Sequence, residues 1–452
     1  MRVHFIAIGG SIMHQLAISL HFKGYHITGS DDDIFEPAKN NLQNVGIFPT
    51  ELGWNANNIT KSLDAVILGM HARNDNPELI KAKELNLPIF SFPEYIFNQS
   101  QLKKRVAIGG SHGKTTTTSM IMHVLKKTGQ FFDFMVGAKL DGFDQSVQIT
   151  DAPVIICEAD EYPASAIEKR PKFHFLFPHI AVLTGIAWDH INVFPTFEFY
   201  KEQFLIFINK IESGGTLIYN ETDPVLKELV IFNKRNDLNY IPYNLPENKI
   251  INGQTSITIE GHSQFITVFG NHNLLNINAA YHVCKLLGIK SVDFLQSIQD
   301  FKGASKRLEI FYKSTDLNVF RDFAHAPSKV KASIEAVKQQ FPEKKLVAVL
   351  ELHTFSSLNA DFMDQYKGSL ELADECAVFY SAHALEIKRM PLLDPNVIRD
   401  GFSKTGLQIF NTAQNLAKWL KERDLTNSNL LLMSSGTYED LDILNTINKV
   451  NI

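Results

Sequence analysis

The sequence predicts an α/β protein of three domains, and three observations predict it. An apolar, β-rich run that ends in Gly, Ser, Asp or His and passes into a helical pattern recurs along the chain, as strands alternating with helices require. The 452 residues, set against roughly 150 for a typical domain, leave room for about three such units. A glycine-rich turn with a lysine at a helix start opens the second of them.

The elements follow in order. Val3 to Ile8 reads as a strand, Met13 to Phe22 as a helix, and Tyr25 to Thr28 as a second strand ending at Gly29-Ser30-Asp31; Ala65 to Leu68 and Ile89 to Phe90 are short strands. The polar stretch Asn98 to Arg105 reads as a linker before the strand Val106 to Ile108. Strands follow at Val154 to Cys157, Ile180 to Leu183 and Thr216 to Tyr219, then a helix from about Asn273 to Leu287. After Phe301-Lys302-Gly303 the pattern restarts with five strands: Val319-Phe320, Leu346 to Leu350, Ala377 to Tyr380, Leu407 to Phe410 and Leu430 to Met433.

Composition narrows the function classes. Apolar residues at 44% and charged residues at 21% suit a globular chain with real cores. With 44 basic and 49 acidic side chains the formal charge is −5, which does not favour a nucleic acid partner. Met1 to Ile8 is apolar, but Gly9, Gly10, Ser11 and His14 interrupt any signal-peptide core, and no run of eighteen apolar residues suggests a membrane span. Cys157, Cys284 and Cys376 are far apart and odd in number, which fits a reducing, cytoplasmic compartment.

The segment from Val106 to Thr118 carries the most chemistry. Its glycines let backbone N–H groups converge on phosphate oxygens, Lys114 reaches the β/γ-phosphates, and the Thr115 hydroxyl can ligate Mg²⁺. Ile108 stands where a full P-loop has its first glycine, so this is a shorter loop, G-x-x-G-K-T from Gly110. Downstream, Val154 to Cys157 runs into Glu158-Ala-Asp-Glu-Tyr162, which puts carboxylates at the carboxyl end of a strand, where such sheets gather ligands. Four further groups have a plain reading beside the functional one. Trp188-Asp189-His190 caps or packs, or binds; Gly270 to Asn276 caps a helix or meets a nucleotide. Lys306-Arg307 decorates a surface or clamps a phosphate. Asp322, in Asp322-Phe-Ala-His325-Ala-Pro327, caps the next helix or accepts from a ribose hydroxyl.

Taken in order, these segments resemble the Mur ligases of bacterial cell-wall synthesis over essentially the whole chain. The short loop, the Glu-Ala-Asp-Glu, the Asp-His of 189 and 190, the Gly-Asn-His-Asn-x-x-Asn of 270 to 276, the Lys-Arg of 306 and 307 and the Asp-Phe-Ala-His of 322 to 325 stand in the family's order. The resemblance implies a Rossmann-like UDP-sugar domain over 1–103, a central P-loop ATPase domain over 104–305, and a C-terminal Rossmann-like domain over 306–452 that brings an amine. The opening Ile8-Gly-Gly-Ser-Ile-Met13 and Gly29-Ser-Asp31 resemble the branch that binds UDP-N-acetylmuramate itself. Within it the acceptor is either L-alanine or the recycled tripeptide L-alanyl-γ-D-glutamyl-meso-diaminopimelate. Ile34 to Pro37, Glu158 to Tyr162, Lys169 to Phe173 and Asp189 to Pro195 are more similar to the tripeptide, or murein peptide ligase, branch.

Carried over residue by residue, the resemblance implies ATP and Mg²⁺ as cofactors. The nucleotide would meet Gly110, Ser111, His112, Gly113, Lys114, Thr115, Thr116, His272, Asn273, Asn276, Arg307 and Asp322; the metal, Thr115, Glu158 and His190. The amino sugar would meet Gly9, Gly10, Ser11, Ile12, Ser30 and Asp31, with His325 on the acceptor side. Lys114, Glu158, His190 and Arg307 would be catalytic. His325 and His353 remain alternative bases for the amine. The chain departs from the pattern at Ala326, where the alanine ligases have a second histidine, and at Glu351-Leu-His-Thr-Phe355, which replaces a basic segment. It lacks an Asp-Asn-Pro-Arg motif, and Phe204 to Ile208 offers no carbamylatable lysine.

Other classes fit less well. A nicotinamide oxidoreductase needs G-x-G-x-x-G, whereas Gly9 and Gly10 are adjacent and followed by Ile12 and Met13. A nucleotide-dependent switch would hydrolyse ATP without an acid or an amine. Folylpolyglutamate synthetases share the short loop but lack the amino-terminal unit.

Overall fold

Strands whose faces are both covered by helices read as continuous apolar runs, and the chain builds three mainly parallel sheets from such runs. The computed structural model describes residues 1–138, 140, 142–189, 193–251, 253–303 and 307–448. It divides into two compact units: Met1–Ile186 with Glu198–Asn244 and Ala279–Ile289, and Ala187–Phe197 with Leu245–Asn278 and Lys290–Ile452.

The first unit contains a four-stranded parallel sheet, β1 (Arg2–Ile6), β2 (His26–Ser30), β3 (Ala65–Leu68) and β4 (Ile89–Ser91), in the order β2-β1-β3-β4. Helices α1 (Met13–Phe22) and α2 (Pro77–Glu84) belong to this layer, and Ile6, Val66, Leu68 and Leu79 share one core cluster. The same unit holds a seven-stranded sheet of β5 (Lys104–Gly109), β6 (Asp133–Met135), β7 (Val147–Gln148), β8 (Val154–Glu158), β9 (Ile180–Leu183), β10 (Thr216–Asn220) and β11 (Asn239–Tyr243). Its order is β11-β10-β9-β5-β8-β6-β7, parallel except for β7. β5 lies between β8 and β9, so the loop after it opens into the crevice where ligands bind in open α/β sheets. Helix α3 (Lys114–Lys127) leaves that loop, and α4 (Phe197–Asn209) follows β9.

The polar stretch expected to be a linker is tied down. Lys103 and Arg105 are buried; Lys103 Nζ lies 2.7 Å from the buried Asp133 carboxylate, and Arg105 donates to Glu212 at 2.7 Å and to the Phe177 carbonyl at 2.8 Å. Two side chains of α1 also accept backbone N–H groups from the following layer: Ser19 Oγ from Ile149 at 2.7 Å and Gln15 Oε1 from Ser146 at 3.2 Å.

The second unit has a three-stranded antiparallel sheet, β12 (Glu247–Ile251), β13 (Gln254–Ile259) and β14 (His262–Ile266), which the sequence reading did not anticipate. Helix α5 (Asn271–Leu286) comes next in the chain, its residues to Asn278 in this unit and those from Ala279 in the first. The last sheet has six strands rather than five: β15 (Glu309–Lys313), β16 (Leu317–Asp322), β17 (Lys345–Leu352), β18 (Glu375–Tyr380), β19 (Gln408–Phe410) and β20 (Ser428–Met433), in the order β15-β16-β20-β17-β18-β19. Only the added edge strand, β15, is antiparallel to its neighbour. Helix α6 (Pro327–Gln340) connects β16 to β17 and contributes Val330, Ile334 and Val337 to the core on one face. Cys157 in β8, Cys284 in α5 and Cys376 in β18 are buried free thiols. Among the described residues no helix is long and apolar enough to cross a membrane.

Candidate active site

At the mouth of the seven-stranded sheet, β5 delivers Gly109 and Gly110. Gly110 has φ +129°, and a Cβ there would fall 2.1 Å from Thr184 Oγ1, so no other residue fits. The end of β9 fixes the loop: Thr184 Oγ1 donates to the carbonyls of Gly109 (3.2 Å) and His112, and Ser111 N–H donates to the Gly185 carbonyl at 3.0 Å. Gly113, at φ +79°, turns the chain into α3.

Lys114 folds back over this loop, its Nζ 2.7 Å from the Gly110 carbonyl and 2.7 Å from Glu161 Oε2. Burial works against the ammonium, but Glu161, Asp160 and Glu158 outweigh it and hold its pKa above the usual lysine value. Thr115 Oγ1 donates to Glu158 Oε1 at 2.7 Å, and Glu158 Oε2 accepts the Gly137 N–H at 2.9 Å. Tyr200 OH donates to Glu161 Oε1 at 3.1 Å and lies 2.9 Å from Ser111 Oγ. The structure thus brings together Gly110, Ser111, Gly113, Lys114, Thr115 and Glu158, and adds Glu161 and Tyr200, which sequence reasoning missed. Glu161 had a signal, as the fourth residue of Glu158-Ala-Asp-Glu; Tyr200, on a mostly apolar helix, had none.

At the carboxyl end of the first sheet, Gly9 N–H donates to Asp31 Oδ2 at 2.7 Å. A Cβ on Gly9 would stand 2.9 Å from the same oxygen. Burial, with the neighbouring Asp32, pushes the Asp31 carboxyl up to about 6 against the lowering effect of the Gly9 amide. His71, which the sequence did not single out, places Nδ1 3.8 Å from Asp31 Oδ1. Gly10, Ser11 and Ile12 form the turn into α1, where Ile12 is the N-cap. The Ser30 hydroxyl is turned inward, donating to the fully buried Glu78, whose other partners include His4 at 3.3 Å.

The remaining candidates lie in the second unit. Asp322, at the end of β16, does not cap α6, whose N-cap is Ala326; it accepts the Ser333 hydroxyl from within that helix. His325 donates Nδ1–H to the Phe323 carbonyl at 2.8 Å, and burial, then Lys329, drives its pKa down to about 4. The Arg307 guanidinium stacks 4.7 Å from the Phe323 ring centre. Asp189 is buried, with Lys329 Nζ at 3.8 Å. Asn273 donates to the Phe269 carbonyl at 2.9 Å; Asn276 is buried, and burial lowers the His272 pKa. Gly270, at φ +85°, has no room for a Cβ, which would meet Ala336 Cβ at 2.4 Å. His190 and Lys306 lie outside the described residues.

Residues 108–284 match the Mur ligase middle domain, and residues 2–101 match the Mur ligase family catalytic domain. A UDP-N-acetylmuramate–L-alanine ligase of Sulfurihydrogenibium sp. is 32% identical over 82% of this chain and 81% of its own length. Another protein of that name, from Clostridium novyi, is 30% identical over 95% of this chain and 94% of its own. Among solved structures, a murein peptide ligase from Psychrobacter arcticus superposes with TM-score 0.62 at 21% identity, covering 100% of this chain and 99% of the other. A UDP-N-acetylmuramate–alanine ligase from Thermotoga maritima gives 0.67 at 22%, covering 100% and 98%.

Proposed function

Because the chain belongs to the Mur ligase family of ATP-dependent amide ligases, we propose that it joins UDP-N-acetylmuramate to L-alanyl-γ-D-glutamyl-meso-diaminopimelate through an acyl phosphate. The observation that carries the chemistry is the pairing of Thr115 and Lys114, at the start of α3, with Glu158 and Glu161. A carboxylate does not acylate an amine at neutral pH, because oxide is too poor a leaving group; phosphorylating it supplies one that is adequate. Attack of a carboxylate on a triphosphate brings anions together, so the protein's task is alignment and charge neutralisation.

The residues present fit a hard, oxygen-liganded Mg²⁺: Thr115 Oγ1 and Glu158 Oε1 are 2.7 Å apart, and both are oxygen donors. Thr115 and Glu158 would hold a cation, which when bound neutralises phosphate charge, and His190 would hold a second. Lys114, Arg307 and the loop N–H groups at 110–115 would orient the phosphates, with Thr116, His112, His272, Asn273, Asn276 and Asp322 around the nucleotide. Asp31, with Gly9 to Ile12 and Ser30, would hold the UDP-sugar, and His325 would face the acceptor. We place the reaction in the cytoplasm, where ATP and the UDP-sugar are found, and set the domain boundaries at 103/104 and 305/306.

The tripeptide is supported by Ile34 to Pro37, Glu158 to Tyr162, Lys169 to Phe173 and Asp189 to Pro195, and the replacement of the alanine ligases' basic segment by Glu351-Leu-His-Thr-Phe355 weakens the alternative. A second reading, ligation of L-alanine, is favoured by the names of the sequence relatives. The test supplies ATP, Mg²⁺ and UDP-N-acetylmuramate with L-alanine or the tripeptide in separate reactions and measures phosphate and amide product. Product from the tripeptide alone is expected; product from L-alanine alone overturns the acceptor assignment, and phosphate release that ignores the sugar acid overturns the ligase chemistry.

A further inference from the structure

In the six-stranded sheet, β17 lies between β20 and β18, and the chain continues from the carboxyl ends of β17 and β20, the end at which open α/β sheets bind ligands. Glu351, the penultimate residue of β17, is 2% exposed. Its Oε2 is fully engaged, accepting the Ser434 hydroxyl and the Tyr438 N–H at 3.0 Å. Its Oε1 accepts no hydrogen bond among the described residues; the nearest charged partner is His353 Nδ1 at 3.8 Å. A carboxylate oxygen left without a hydrogen bond on so buried a side chain is available to a donor that enters from the loop side.

The space in front of it is kept clear by Gly436. A Cβ there would stand 2.9 Å from each Glu351 carboxylate oxygen and 2.8 Å from His353 Nδ1. The loop that carries Gly436 is held in an unusual shape, with Tyr438, Glu439 and Asp440 all left-handed at φ 54°, 54° and 57°. Tyr438 OH anchors it to the carbonyls of Met433 (2.8 Å) and Val349 (3.2 Å), and Glu439 accepts the Ser381 hydroxyl at 2.5 Å.

Resting on the ligase reading above, we infer that Glu351 and His353 form the subsite for a second, non-reacting alkylammonium of the acceptor. An ammonium nitrogen can donate to two acceptors 3.8 Å apart, and the negative carboxylate selects the charged form. The reacting amine cannot be this group, because a carboxylate partner keeps an amine protonated and so without a nucleophilic lone pair. The acceptor therefore carries at least two amines, as a peptide ending in a diamino acid does and L-alanine does not.

The experiment compares Glu351→Gln, Gly436→Ala and the unaltered enzyme on two acceptors, the tripeptide and the same tripeptide acetylated on its distal amine. The expected result is a KM for the intact peptide raised about ten- to a hundred-fold in both variants, with kcat and the KM values for ATP and UDP-N-acetylmuramate held. Acetylation should impose the same loss on the unaltered enzyme and no further loss on Glu351→Gln. An unchanged KM in Glu351→Gln, or an equal loss on both peptides, overturns the inference, the latter by showing that the carboxylate merely holds the 434–438 loop. Those outcomes leave ligation of the tripeptide standing; absence of phosphate release with any acceptor strikes at the ligase reading itself.

Discussion

Lys114 shows how a single side chain can serve folding and chemistry together. In this structure its charge is balanced by Glu161, which is 1% exposed, so removing the lysine leaves a buried carboxylate without that counter-charge. Lys114→Met is expected to slow amide formation by about 10²–10³, the usual cost of losing one preorganised charge contact. It is also expected to lower the melting temperature, and a variant with normal turnover would refute the assignment. Asp31 makes a prediction of opposite character. Its carboxyl is raised to about 6, so the folded state holds a proton there that the unfolded chain has already lost. The contribution of Asp31 to stability is therefore present below the ordinary carboxylate range and falls away as pH rises through about 6. A hydroxyl of the UDP-sugar donates more strongly to the ionised form, so KM for the UDP-sugar should fall over the same window, and Asp31→Asn should flatten that profile. That Gly110 and Asp31 stand at strand ends was legible, because glycine and carboxylate following an apolar run are chemically distinctive. Glu351 was visible only as a departure from a basic pattern; the setting of its carboxylate depends on Ser434, Tyr438 and Gly436, more than eighty residues away.

Among the elements, β5 with α3 is the one whose shape is least tolerant of change. In Gly110→Ala the new methyl would have to displace Thr184, which itself holds the carbonyls of Gly109 and His112. Equilibrium binding should show ATP affinity reduced at least tenfold, with far-ultraviolet circular dichroism unaltered; retained affinity would mean the loop closes some other way. Buried strands such as β3 and β9 were legible because every residue is apolar. Among the strands that escaped notice, β12 and β15 are edge strands whose residues are half-buried or exposed, so neither a continuous run nor a clean alternation marks them, whereas the central β13 does alternate and was passed over. Asn98 to Arg105 misled for the converse reason: its charges look solvated, but Lys103 and Arg105 are themselves buried, Lys103 against the buried Asp133 and Arg105 against the partly exposed Glu212.

At the scale of the whole molecule, the first unit carries both the loop at 110–115 and Asp31. ATP and the UDP-sugar should each stabilise it by mass action, by about 2.7 kcal/mol at a hundredfold excess over Kd. Calorimetry with each ligand separately checks this, and a melting profile indifferent to both would count against these sites. The two compact units also mean that a single melting temperature need not describe the chain.

The three cysteines turn that last point into a measurement. Cys157 and Cys284 belong to the first unit and Cys376 to the second, and burial lifts the Cys157 thiol to about 12 and the Cys376 thiol to about 11. Native protein should therefore resist alkylation until a region opens. Peptide mapping after a pulse of iodoacetamide in rising urea would then time-stamp the collapse of each half by its own sulfur, without a fluorophore or an engineered label.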